Sequence, residues 1–257
     1  MQGKVLIVTG STGIGAAAAR MAAERGARLL IATADGATGW ELAQETGAEC
    51  WTGELTRPEA ADSVVSQCLG RFGRIDALLQ AAGAGGRRYG DGPVHECSDE
   101  GWELALAQNL TAAFHLSRAV IRRMLQQEVA ASGLRGAIVL TSSALAFAPE
   151  PREFATHAYA AAKGALAAMS RSMAAYYAPH RISVNCVAPG MVRTPAGESA
   201  MDDPKLAEIV RGRQQLAAGL VEAEDVARAA LFLLGEAAGA ITGQVVNVDG
   251  GWSVLVG

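Results

Sequence analysis

Tyr159 is followed four positions later by Lys163, one of three lysines in the chain. Residues four apart share a helix face, and residues 158–177 are rich in alanine with Leu166, Met169 and Met173 at helical spacing, which predicts a helix there. The phenol and the ammonium would then lie side by side. A phenol titrates near pH 10, and bringing it to about 7 takes roughly 4 kcal/mol of preference for phenolate, part of which a neighbouring cation supplies. Such a pair can pass a proton to or from a substrate oxygen. An exposed tyrosine beside a solvated lysine has the same spacing, so the surrounding elements must decide between the two readings.

Those elements read as strand then helix, repeated. Short apolar runs at 5–8, 29–32, 75–79, 137–140, 182–187 and 244–248 predict buried strands, with a weaker one at 49–52. Amphipathic stretches at 16–25, 40–46, 58–72, 99–127, 158–177 and 222–234 predict the helices between them. This alternation implies right-handed crossovers and a parallel α/β sheet with helices on both faces. Ligands bind such sheets beyond the carboxyl ends of the strands. The segments that follow the strands there are Gly10 to Gly15, Gly83 to Gly86, Thr141 to Ser143 and Pro189-Gly190. Residues 191–217 lack a clear strand and contain Pro195 and Pro204, which predicts a substrate lid.

The loop Gly10-Ser11-Thr12-Gly13-Ile14-Gly15 ends the first strand and opens a helix. Glycines there let backbone N–H groups approach a pyrophosphate, and the helix N-terminus favours the anion. Adenosine would be read near the end of the second strand. Asp35 is the acidic residue available for ribose hydroxyls, and it reads equally well as a helix cap. No lysine or arginine lies close by in sequence, which favours NAD over NADP.

The 257 residues suit one large α/β domain, and no composition shift divides them. A net charge of −4 leaves no electrostatic footprint for nucleic acid. No apolar run approaches the roughly 20 residues of a membrane span. The four cysteines lack metal-ligand spacing and read as reduced residues of a cytoplasmic protein.

With residues 9–15, Ser143, Tyr159 and Lys163 in this order, the chain resembles the short-chain dehydrogenase/reductase superfamily in its classical form. Further matches are Asn109 in Gln-Asn-Leu-Thr, residues 183–190 (Ser-Val-Asn-Cys-Val-Ala-Pro-Gly), Thr194, residues 241–244 (Ile-Thr-Gly-Gln) and residues 248–251 (Val-Asp-Gly-Gly). The resemblance implies a single Rossmann-type domain with a doubly wound sheet, a nicotinamide cofactor, NAD or NADP, and hydride transfer to or from a secondary alcohol or ketone. It implies Tyr159 as general acid or base, and Lys163 as the residue that holds the nicotinamide ribose and lowers the phenol's pKa. Ser143 would hydrogen-bond the substrate oxygen, with Ser142 the lesser candidate, and Asn109 would anchor a water. Gly10, Ser11, Thr12, Gly13, Ile14, Gly15, Asp35, Glu54, Leu55, Ala82 and Gly83 would hold the cofactor's adenosine and phosphates. Pro189, Gly190, Val192 and Thr194 would hold its nicotinamide half. The resemblance also implies a homodimer or homotetramer and a small-molecule substrate without metal.

Three departures fall on the cofactor side. Only Ser11 and Thr12 separate Gly10 from Gly13, one residue fewer than the classical loop. Gln80-Ala81-Ala82-Gly83 stands where the family usually has Asn-Asn-Ala-Gly, and Glu54 replaces an aspartate. Between Ser143 and Tyr159, Glu150, Arg152, Glu153 and His157 would make the substrate wall polar, whereas Phe147 and Phe154 would make it apolar. The alternatives are a 3-oxoacyl-thioester reductase and a non-catalytic dinucleotide-binding regulator.

Overall fold

A computed structural model describes residues 1–255, apart from the side chains of Arg152 and Ala196. Seven strands are β1 (Val5–Thr9), β2 (Arg28–Thr33), β3 (Glu49–Thr52), β4 (Ala77–Gln80), β5 (Gly136–Thr141), β6 (Ile182–Pro189) and β7 (Val245–Val248). They form one sheet in the order β3-β2-β1-β4-β5-β6-β7, with every pairing parallel. The helices are α1 (Gly13–Glu24), α2 (Gly36–Thr46), α3 (Pro58–Phe72), α4 (Asp99–Leu106), α5 (Ala112–Met124), α6 (His157–Tyr177), α7 (Pro195–Ala200), α8 (Pro204–Arg213) and α9 (Ala223–Leu233).

Both faces of the sheet are covered, so the strands are apolar at successive positions rather than at alternate ones. Side-chain alternation then divides each strand between two cores. Leu6, Val8, Leu29, Ile31, Leu79 and Val139 pack with the alanines of α1 and with Val226, Ala227 and Ala230 of α9. Val5, Ile7, Leu30, Leu78, Ile138 and Val184 pack on the other face with residues of α3, α5 and α6. The chain builds outward from β1 to β3, then returns to place β4 on β1's other side. That reversal leaves a crevice above the carboxyl ends of β1 and β4.

Three expectations are corrected. The edge strand β7 is only partly buried, with Asn247 exposed, because it has a neighbour on one side alone. The helix expected over 99–127 is interrupted between α4 and α5 by a π-turn at 107–111. Asn109 is the cause: its Nδ2 donates to Ala105 O (3.0 Å) and to Ala84 O (2.9 Å), competing for a carbonyl that an unbroken helix would use. The strand expected from residue 75 begins at Ala77, because Gln127 takes both backbone groups of Ile75.

Candidate active site

The crevice is floored by the loop from β1 to α1. Gly10 and Gly13 adopt left-handed φ values of 86° and 50°, which turn the chain sharply into α1. The first turn of α1 has no acidic residue and no side-chain cap, so its N–H groups are free to meet an anion. Ser11 is buried and its hydroxyl bonds those of Thr38 (2.6 Å) and Thr33 (3.0 Å), which ties the shortened loop to β2 and α2. Thr12 is exposed and Ile14 packs on the core. A Cβ at Gly15 would collide with the Gly10 carbonyl, and one at Gly13 would lie 2.6 Å from the Thr194 methyl. The glycine loop therefore touches Thr194, at the start of the segment 191–217.

Asp35 lies two residues past the end of β2, exposed, with its carboxylate accepting from Ala37 N (3.0 Å) and Thr38 N (3.3 Å) as the cap of α2. Glu54 is exposed and Leu55 packs on the second core. Across the crevice, Thr9 Oγ1 accepts from both Ala81 N and Ala82 N (3.0 and 2.9 Å), clamping the end of β4 against β1. Nothing in the sequence marked Thr9 for this brace. Gln80 is buried, and neither of its amide atoms has a partner among the described residues.

Beyond β5, the two adjacent serines diverge. Ser142 Oγ donates to Lys163 O (2.7 Å) and fixes α6 to β5. Ser143 Oγ accepts from Leu145 N (3.3 Å), and its hydroxyl is near enough to the Tyr159 phenol to favour the phenolate. Lys163 is buried, with Nζ donating to Thr141 O (2.9 Å) and 5.5 Å from the centre of the Tyr159 ring. Asn109 Oδ1 is buried without a partner among the described residues. A Cβ on Gly83 would lie 2.6 Å from that oxygen and 3.0 Å from Lys163 Nζ, so the glycine admits both groups to one spot. Asn109, Ser143, Tyr159 and Lys163 thus converge from the π-turn, β5 and α6.

Burial dominates the electrostatics. It pushes the Tyr159 phenol above its ordinary value, and the Ser143 hydroxyl opposes this. It lowers the Lys163 ammonium to about 8. The phenol is therefore shifted upward rather than downward, because burial disfavours the phenolate.

Pro189 ends β6 and Gly190 N bonds Val248 O. The Val192 side chain is buried in the first core, and its backbone forms a parallel bridge with Val221. Thr194 caps α7 through Gly197 N (3.1 Å). The segment 191–217 contains α7 and α8, and its base is closed by Gln214. This residue is fully buried and bonds Met191 N (2.6 Å), Met191 O (3.0 Å) and Gly219 O (2.6 Å).

The wall between Ser143 and Tyr159 turns several of its apolar residues inward, though not Phe147. Leu145, Ala148 and Phe154 pack with Met191, Met201, Ile209 and Trp252. Trp252 Nε1 donates to Ala148 O (2.9 Å), its ring meets Phe154 edge to face at 5.2 Å, and the Arg213 guanidinium lies 5.2 Å from its ring. Phe147 is exposed, the His157 imidazole accepts from Val94 N (3.0 Å), and Arg152's side chain lies outside the described residues. Trp252, Gln214 and Asp91 were not read from sequence. The contacts of Trp252 with Ala148 and Phe154, and the Asp91 contacts with α6, join parts of the chain too far apart for local pattern to register.

Comparison with known proteins places these features in context. Residues 8–253 match the family described as enoyl-(acyl carrier protein) reductase. Momilactone A synthase of Oryza sativa subsp. japonica is 34% identical over 260 residues, covering 98% of this chain and 91% of the relative. A 3-oxoacyl-[acyl-carrier-protein] reductase of Haemophilus influenzae is 34% identical over 258 residues, covering 98% of each. Among solved structures, gox2181 superposes with a TM-score of 0.89 at 29% identity, covering 99% of this chain and 97% of the other. A single-substitution variant of actinorhodin polyketide ketoreductase with NADPH gives 0.87 at 25% identity, covering 99% and 100%.

Proposed function

Because the chain belongs to the short-chain dehydrogenase/reductase superfamily, we propose that its NAD(P)-dependent oxidoreduction runs through Tyr159, supported by Ser143, Lys163 and Asn109. The observation that carries this reading is the gathering of Ser143, the Tyr159 phenol and the buried Lys163, whose Nζ lies 5.5 Å from the centre of the phenol ring, at the carboxyl ends of the strands. The bound nicotinamide supplies or accepts the hydride at C4. In reduction, Tyr159 donates its phenolic proton to the substrate oxygen while Ser143 Oγ hydrogen-bonds the same oxygen; oxidation reverses both. The Lys163 ammonium holds the ribose hydroxyls and favours the phenolate left behind. Asn109 Oδ1 holds a water that leads from Lys163 to solvent.

The uncapped start of α1 and the turn at Gly10 and Gly13 fit a pyrophosphate. Gly10, Ser11, Thr12, Gly13, Ile14 and Gly15 take the phosphates, and Asp35, Glu54, Leu55, Ala82 and Gly83 flank the adenosine. Pro189, Gly190, Val192 and Thr194 take the nicotinamide half. The Asp35 carboxylate repels a 2′-phosphate even while capping α2, which supports NAD over NADP. Residues 191–217 act as the lid. The apolar wall supports a small apolar ketone or secondary alcohol as substrate in preference to a sugar or polyol. Exposed Trp102 and Phe114 on α4 and α5 support a homodimer or homotetramer. No helix among the described residues is long and apolar enough to cross a membrane, and all four cysteines are unbridged, which supports a cytoplasmic location.

The similarity to 3-oxoacyl-[acyl-carrier-protein] reductases supports a second reading, reduction of a 3-oxoacyl thioester. The relatives reported above are synthases and reductases, so the regulator reading is set aside. The test is parallel calorimetric titration with NAD, NADH, NADP and NADPH, followed by turnover assays on apolar ketones, polyols and an acetoacetyl thioester. Tyr159→Phe should abolish turnover with dinucleotide affinity nearly intact; unchanged turnover would overturn the mechanism.

A further inference from the structure

Helix α6 carries Tyr159 in its first turn but supplies no cap of its own. Thr156, at the cap position, makes no side-chain hydrogen bond to the helix, and the first turn has no acidic residue. The N–H groups at a helix start have no partner within the helix and need one from outside. Those of residues 157, 158 and 159 are taken by two consecutive residues of the loop between β4 and α4. Gly92 O accepts from His157 N (3.1 Å), Asp91 Oδ1 from Ala158 N (3.0 Å) and Asp91 Oδ2 from Tyr159 N (3.0 Å). Val94 N returns a bond to His157 Nδ1 (3.0 Å).

The loop is shaped to deliver this carboxylate. Asp91 is only 4% exposed although it is charged. A Cβ at Gly86 would lie 2.7 Å from Asp91 Cβ, and one at Gly101 would lie 2.8 Å from Asp91 N, so two glycines clear its seat. Asp91 N bonds Gly86 O (3.2 Å), closing the loop on itself. The Arg87 guanidinium reaches Glu153 O, tying the same loop to the segment that precedes α6.

We infer that Asp91 is a positioning residue for Tyr159, a cap supplied across 68 positions of sequence that holds the first turn of α6 and with it the phenol. Charge-assisted bonds to backbone N–H are stronger than neutral ones, and a carboxylate complements the positive end of a helix. Helix ends fray, and Tyr159 is the third residue of its helix. A frayed first turn would carry the proton donor away from Ser143, whereas Lys163, a full turn further in and pinned to Thr141, would stay. The inference rests on the proposed role of Tyr159, but its structural half can be read separately.

The experiment compares Asp91→Ala and Asp91→Asn with the wild-type chain by amide hydrogen exchange, dinucleotide titration and steady-state turnover. Exchange at residues 157–159 should quicken at least about tenfold in Asp91→Ala while later turns of α6 keep their protection. kcat should fall about tenfold to a hundredfold, with the dinucleotide Kd within about twofold of wild type. Asp91→Asn, which keeps one acceptor oxygen, should recover part of both effects. Unchanged exchange at 157–159 overturns the inference whether or not a substrate is in hand, and so does unchanged kcat in a variant whose first turn has loosened. Equal losses of kcat and dinucleotide affinity overturn it too, since they mark a general structural role. If Asp91→Ala does not fold, Asp91→Asn carries the same criteria. A wild-type chain that binds dinucleotide yet reduces no ketone overturns the role of Tyr159 and leaves the exchange result to decide the cap.

Discussion

Lys163 sits in a position that costs stability. Burial lowers its ammonium to about 8 from the ordinary 10.5, so between those values the unfolded chain binds a proton that the folded chain has released. Stability therefore rises with pH across that window, and the full cost of the buried charge, about 3 kcal/mol, applies below the folded-state value. Lys163→Met should unfold at a higher temperature near neutral pH, by about 2 kcal/mol once the lost bond to Thr141 is counted, while turnover disappears. The advantage should shrink as the pH rises above about 8 and be gone before the ordinary value of 10.5. A variant less stable than wild type at neutral pH would contradict this. Tyr159 is shifted upward, so its titration affects folding only in the alkaline range above the ordinary phenol value, where stability falls as the unfolded chain ionises first. At neutral pH the pair is a neutral phenol beside a largely protonated ammonium, suited to giving a proton to a nascent alkoxide.

At the scale of elements, the site depends on a helix that does not run straight. The π-turn at 107–111 turns Asn109 inward, and Gly83 at the end of β4 leaves room for its carbonyl beside Lys163. Gly83→Ala should lower kcat by about tenfold or more, because a methyl there displaces Asn109 or Lys163 by a sizeable fraction of an ångström. The melting temperature should change little, since the site is at the edge of the core; unaltered kinetics would show that these groups yield without consequence. The shortened glycine loop is compensated by local bonding. Ser11 reaches Thr33 and Thr38, and Thr9 clamps Ala81 and Ala82 where the expected paired amides are missing.

At the scale of the molecule, the C-terminal segment ties two distant parts of the chain together. Trp252 joins the segment after β5 to the end of α8 through Ala148, Phe154 and Arg213. Trp252→Phe removes the bond to Ala148 O and retains most of the ring. It should raise the substrate KM severalfold, the scale of one hydrogen bond of about 1 kcal/mol, and leave dinucleotide affinity unchanged. Steady-state kinetics with saturating cofactor would check this, and an unchanged KM would remove Trp252 from the fastening of the proposed lid.

Sequence by itself determined the parallel α/β architecture, because apolar runs of strand length alternating with helical periods admit few other folds. It also determined that Tyr159 and Lys163 share a helix face, since their spacing is local, and that the segments after β1, β4, β5 and β6 lie at the carboxyl ends of neighbouring strands. Asn109 was legible only through resemblance, because its π-turn arises from bonds to Ala84 and Ala105 that periodicity does not encode. Tertiary structure alone decided that Ser142 serves the scaffold while Ser143 meets the phenol, and that Asp35 caps a helix. It alone decided that burial raises the Tyr159 phenol, and that Asp91, Gln214 and Trp252 hold the site together. The physical reason is common to all of these: hydrogen bonds between distant parts of the sequence and loss of solvent depend on what the folded chain brings near, and no local pattern records it.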